Sequence, residues 1–88
     1  MNVCEEACSL MCGERQKDYG PPAEDWGRAA KMISGLLAKK LKADLTASDV
    51  GKLMVCIKLS RESNKHTRDN LVDVCGYALG VSQIEGDE

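Results

Sequence analysis

The chain has no phenylalanine, two tyrosines and one tryptophan in 88 residues. So few aromatic rings leave no stacking platform for single-stranded nucleic acid. Basic charge is not in excess either. Twelve Lys and Arg against fourteen Asp and Glu give a net charge of -2, and that field recruits neither a nucleic-acid duplex nor an anionic membrane. No apolar run approaches the roughly 18 residues that span a bilayer, and the opening MNVCEEACS lacks the charged and apolar regions of an export signal. These absences predict a soluble cytosolic protein. At this length one domain, residues 1–88, buries only about 60 to 65% of the surface its unfolded chain exposes, so association with further copies would add stability.

Five cysteines are present, but none has the short-turn C-x2-C spacing of a structural zinc site. Cys4, Cys8 and Cys12 recur at i, i+4, i+8, one stripe of one helix. An odd count without an export signal argues against a disulfide framework. They are therefore expected to act as small hydrophobes, together with Cys56 and Cys75. The lone His66, in the polar stretch SNKHTRDN, is expected in a solvated loop.

Apolar periodicity resolves an all-α, compact four-helix domain. Asn2 with Glu5 three residues later forms a capping-box start, and Gly13 a stop, for a helix near 3–13. The stretch DYGPP breaks the chain. Pro22 opens a second helix over about 22–42, with Trp26, Ala29, Ala30, Ile33, Leu36, Leu37 and Leu41 at helical spacing. Thr46 and Asp49 start a third over about 47–63, and a fourth runs over about 68–84 before an acidic tail at 85–88. On helical wheels the apolar arcs of the first, second and fourth helices span about 180 to 200 degrees, where a surface helix needs a stripe not much wider than about 100. Three such arcs cannot all be covered inside one small bundle, which predicts a homo-oligomer, a two-fold dimer or larger.

The last two helices carry the chemistry. Arg61 falls in the apolar arc of the third helix, with Lys58 at its edge, and a buried guanidinium needs an acceptor. Asp69 and Asp73, four apart across the short link, are the candidates, and Gly76 and Gly80 on the same side of the fourth helix imply close approach of another group. One account is structural: an Arg61–Asp73 ion pair, with the glycines letting helices pack closely. Another is a pocket in which Lys58 and Arg61 hold phosphate. There Tyr77 or Tyr19 holds a base or ribose, and Asp69 with Asp73 holds Mg2+ through oxygen ligands.

Two stretches, GERQKDYGPPAEDWGRAAKM and DVGKLMVCIKLSRESNKHTRDNLVDVCGYALGV, resemble a family of short tailed-phage and prophage proteins of unknown function. Its pattern is GDRQxDYGxP, then KLxR, then RDxxVDxxGYA, and the resemblance covers about residues 5–81. It implies one signature block of Arg15, Gln16, Tyr19, Gly20 and Pro22 and a second of Lys58, Arg61, Asp69, Asp73, Gly76 and Tyr77. It also implies action in a host bacterial cytosol. Glu14 departs from the aspartate common in the family.

That family is in turn distantly similar to the MazG-like all-α nucleotide pyrophosphohydrolases, which hold Mg2+ with an E-x-x-E pair and an E-x-x-D pair. The first pair has no counterpart here, since Glu5 and Glu6 lack an acid at that spacing. The second corresponds to Asp69 and Asp73, spaced by four. Glu24 and Asp25 supply the missing carboxylates only where the start of the second helix folds toward the fourth. Two-metal hydrolysis uses more carboxylates than that, so binding is favoured over turnover. Three readings follow: a phage-encoded oligomer that binds or sequesters a nucleotide or nucleotide-derived signal through Arg15, Tyr19, Lys58, Arg61 and Tyr77; a Mg2+-dependent nucleotide pyrophosphohydrolase; and an interaction protein with no small-molecule ligand.

Overall fold

The computed structural model describes residues 1–87. It is helical, with no strand among the described residues. Five helices follow one another: α1 (Val3–Cys12), α2 (Glu14–Tyr19), α3 (Pro22–Leu36), α4 (Ala47–Asn64) and α5 (Arg68–Glu85). Four are long, and α2 is a six-residue piece between the expected stop at Gly13 and the DYGPP break, where no helix was expected. Of the acidic tail expected at 85–88, Glu85 closes α5, Gly86 caps it in the left-handed region at φ 84, and Glu88 lies outside the described residues. No helix among the described residues is long and apolar enough to cross a membrane.

Local chemistry sets the ends. Asn2 Oδ1 accepts the Glu5 N–H at 2.8 Å while Glu5 Oε1 accepts the Asn2 N–H at 3.2 Å. Thr46 and Asp49 repeat this reciprocal cap on α4. Each cap satisfies two of the four orphan N–H groups of a helix start and contributes about 1 kcal/mol. Between α2 and α3, Gly20 turns the chain at φ 83 and Pro22 stands in the first turn of α3. There the missing proline N–H costs nothing.

The second helix of the expected set was to run to about residue 42, but α3 stops at Leu36. The buried Ser34 is the cause: its hydroxyl accepts the Leu45 N–H at 2.8 Å and draws the following loop back across the end of the helix. Gly35, with its low helix propensity, sits one residue further on.

α4 and α5, joined by residues 65–67, form an antiparallel hairpin. α3 packs on the first half of α4, and α1 lies on α5. The buried apolar side chains are Ala7, Met11, Trp26, Ala30, Val50 and Val72. Trp26 is the largest of them and carries most of the aromatic burial, on the order of 4 to 6 kcal/mol for about 150 to 250 Å2 removed from water.

The glycines of α4 and α5 explain how the indole fits. A methyl group at Gly51 would lie 2.6 Å from Trp26 Cζ3 and 2.5 Å from Val81 Cγ2. One at Gly80 would overlap Trp26 Cη2 and lie 2.8 Å from Cζ3. The indole therefore occupies a slot between two helices that only glycine leaves open. Gly76 differs, because a methyl there would make ordinary contacts at 3.9 and 4.0 Å with Met11 and Ala7.

The cysteines are not core residues. Cys4, Cys8, Cys12 and Cys56 are exposed and Cys75 is half-buried. α1 turns Ala7 and Met11 inward, and the sulfur stripe, rotated about 100 degrees from them, runs along the edge of that contact, where Cys4 meets Cys75. Other apolar side chains are also left open: Met32 and Leu36 on α3 are 75% and 83% exposed, and Leu53, Ile57 and Leu59 on α4 are 44%, 42% and 48% exposed.

Candidate functional site

A cavity of about 330 Å3 opens where α1, α2, α3, α4 and α5 meet. Each element contributes for a local reason. Met11 closes the last turn of α1. The break at Gly13 lets α2 swing Arg15, Gln16 and Tyr19 over the opening, and the Gly20 turn brings Pro22, Asp25 and Trp26 of α3 to the opposite wall. Lys58 comes from α4, and Asp73 and Tyr77, one turn apart, come from α5.

Asp73 organises the charges. One of its oxygens lies 3.1 Å from Lys58 Nζ and the other 3.6 Å from Arg15 Nη2. The Lys58 and Asp73 side chains keep 16% and 18% of their exposure, whereas Arg15 keeps 44%. One carboxylate thus fixes one shielded and one open cation at the same wall. In the same lining Trp26 and Tyr77 stack at a tilt, with ring centroids 5.5 Å apart and planes at 38°. Tyr19 stands at the rim, 59% exposed, and Arg28 pins its carbonyl with a 3.1 Å hydrogen bond while also pairing with Asp25 at 3.7 Å.

Of the residues singled out from the sequence, Arg15, Tyr19, Lys58, Asp73 and Tyr77 border this cavity. Arg61 and Asp69 do not. The expected Arg61–Asp73 ion pair is not formed: Asp73 pairs with Lys58 and Arg15, and Arg61 is exposed with no ion pair among the described residues. The inward face of α4 follows Gly51, Met54, Val55, Lys58 and Glu62. Arg61 sits about 60 degrees off the Lys58 position, in the last turn of α4, and is exposed.

Asp69, expected beside Asp73 as a Mg2+ ligand, is likewise exposed and lies outside the cavity lining that Asp73 joins. Among the described residues no group of three or more His, Cys, Asp or Glu side chains could hold a metal ion. The start of α3 does fold toward α5, bringing Asp25 but not Glu24 into the lining. Of the two glycines expected at a close approach, Gly80 faces the Trp26 ring, and Gly76 has room for a methyl group.

Sequence reasoning placed Trp26 only in the core and assigned no part to Arg28. A tryptophan among helically spaced apolar residues signals burial, and only the glycines at 51 and 80, on two other helices, signal the slot that holds its ring beside a cavity.

Chemically, this is an aromatic recess beside two held cations, balanced by two carboxylates. A small α-helical domain with a lined cavity is the class that fold and site define. Residues 2–85 match the domain of unknown function DUF6378, and the chain belongs to that family. It is 38% identical over 84 residues to the Gene 55 protein of Mycobacterium phage D29, a match covering 94% of this chain and 53% of that protein. It is 32% identical over 91 residues to the Gene 55 protein of Mycobacterium phage L5, covering 100% of this chain and 56% of that protein. The chain thus spans about half the length of the curated relatives it matches. No solved structure matches it.

Proposed function

We propose that the cavity binds one nucleotide-type small molecule, and that the protein acts in a phage-infected bacterial cytosol by holding that molecule without turning it over. The observation that carries this reading is the convergence of Arg15, Lys58, Tyr19 and Tyr77, from three helices, on one recess. A base finds an aromatic face at Tyr19 or Tyr77. A phosphate finds the bidentate donors of Arg15 and the point charge of Lys58, both already aimed by Asp73. The volume of about 330 Å3 sits at the small end of the roughly 300 to 1,000 Å3 usual for ligand sites, which favours a mononucleotide over a dinucleotide.

The lining offers no carboxylate cluster for divalent metal, so binding is expected without Mg2+. A thermal-shift panel of nucleoside mono- and triphosphates, each with and without Mg2+, tests this. A ligand at about 100 times its Kd adds about 2.7 kcal/mol to stability, an upward shift of roughly 10 °C or more for a domain this size. Lys58→Ala and Arg15→Ala should each weaken the shift. A panel with no shift refutes the reading, and pyrophosphate release would replace holding with hydrolysis.

The exposed Met32, Leu36, Leu53, Ile57 and Leu59 support a second reading, in which the chain associates with itself. Sedimentation velocity at micromolar concentration tests it, and a monomer at all concentrations would count against it.

A further inference from the structure

The N-terminal helix is attached to α5 along one line of contacts. At its start Arg68 donates to the Glu6 carboxylate at 2.6 Å and to the Met1 carbonyl at 2.8 Å. Further along, Ala7 and Met11 pack over Gly76. On the same interface Cys4 Sγ and Cys75 Sγ lie 3.5 Å apart, 71 positions apart in the chain. The two sulfurs are therefore held face to face by a polar clasp and an apolar contact that do not involve them. Cys4 is exposed and Cys75 half-buried, so a small oxidant reaches the first directly.

We propose that Cys4 and Cys75 form a redox-active dithiol that closes to an interhelical disulfide by exchange with a low-molecular-weight disulfide such as oxidised glutathione. A disulfide holds its sulfurs at about 2.05 Å, so closure asks for roughly 1.5 Å of approach, within the reach of side-chain rotation. The Cys4 thiolate attacks one sulfur of oxidised glutathione, a protein–glutathione bond forms, and one glutathione thiolate leaves. The Cys75 thiolate then attacks Cys4 Sγ, the Cys4–Cys75 bond forms, and the second glutathione thiolate leaves. The dithiol gives up two electrons and two protons, and oxidised glutathione becomes two reduced molecules. The hydrogen bond to Cys4, and then partial burial, hold the Cys75 thiol above its ordinary pKa, which makes the exposed Cys4 the first nucleophile. Cys8 and Cys12 contact each other within one helix and tie no separate elements together, so their oxidation would not fasten α1 to the body.

The reading is independent of what the cavity binds. Its test uses the full chain carrying C8S, C12S and C56S, incubated with oxidised glutathione. Free thiols per chain should fall from two to none with the chain remaining free of intermolecular disulfides. Because the bond closes a loop of 71 positions, the melting temperature should rise by on the order of 20 °C and fall back on reduction. Persistent glutathione adducts, disulfide-linked dimers or an unchanged melting temperature would each overturn the proposal. Should the triple variant fold poorly, the wild-type chain serves. After trypsin it should yield a peptide from the N-terminus bonded to one containing Cys75, absent from C4S, and absence of that species from the oxidised wild-type chain refutes the pair.

Discussion

Asp73→Asn separates the observed charge arrangement from the one the helical wheel suggests. The substitution keeps shape and removes the charge facing Lys58 at 3.1 Å and Arg15 at 3.6 Å. At an effective dielectric of 20 the Lys58 attraction is about 5 kcal/mol gross, and most of it is offset by the cost of taking both groups out of water. Breaking a fully buried pair costs roughly 3 to 5 kcal/mol. These side chains keep 16% and 18% of their exposure, so a loss of about 2 to 3 kcal/mol is expected for Asp73→Asn. Arg15, nearly half exposed, should add less than about 1 kcal/mol.

A double-mutant cycle in urea, read by circular dichroism, measures the coupling directly. Position 73 should couple to Lys58→Met by more than about 1 kcal/mol, and to Arg61→Met within the experimental error of about 0.3 to 0.5 kcal/mol. A coupling to Arg61 as large as that to Lys58 would refute the assignment of Lys58 as the buried partner.

Gly80→Ala should destabilise the fold by about 1 to 3 kcal/mol despite its gain in helix propensity, because the new methyl meets the Trp26 ring, whereas Gly76→Ala should be near neutral or stabilising; urea midpoints distinguish the two. Ser34→Ala should cost about 1 to 2 kcal/mol, since the Leu45 N–H loses its acceptor, and amide exchange at Leu45 should accelerate. Acid should weaken the protein in a defined window. The side-chain contact with His66, then Asn70 and the Thr67 N–H, hold Glu62 below its ordinary pKa of 4.5, and the Thr46 N–H and hydroxyl hold Asp49 below 3.8. Folded-state values that are depressed in this way give stability that is present above those ordinary values and lost as pH falls through the folded ones. Glu62→Gln should flatten the loss of stability below pH 4.5, and an unchanged acid limb would contradict it.

Much of the architecture was visible in particular residues. Asn2 with Glu5 and Thr46 with Asp49 mark helix starts because a short polar side chain and an acid three residues later can exchange hydrogen bonds within one turn, a purely local event. The α2 helix was not visible, because six residues form no stable helix by themselves and the neighbours that hold it are distant in sequence. The end of α3 was hidden for the same kind of reason: Ser34 and Leu45 meet across a loop. At the site, the sequence put Lys58, Asp73 and Tyr77 in one neighbourhood through helical spacing and the short SNKHTR link. It misplaced Arg61 because a wheel treats a helix as uniformly covered along its length. The covered side of α4 runs from Val50 and Gly51 at its start to Lys58 and Glu62 toward its end, and it leaves Arg61 exposed. Three positions along that helix separate the shielded cation from the solvated one.

The spacing of Asp73, Gly76, Tyr77 and Gly80 on α5 thus serves two purposes on one face. Gly80, with Gly51 opposite, opens the slot for Trp26, and Gly76 faces Ala7 and Met11 of α1 with room for a methyl group. Asp73 and Tyr77, between and beside them, face the cavity that Trp26 also borders. The tryptophan is therefore both the largest side chain of a small core and part of the cavity wall, with its ring 5.5 Å from that of Tyr77. In a domain whose described core is this small, a shift of that ring disturbs packing and cavity shape together. A perturbation of the slot at Gly51 or Gly80, neither of which lines the cavity, therefore reaches its wall through Trp26.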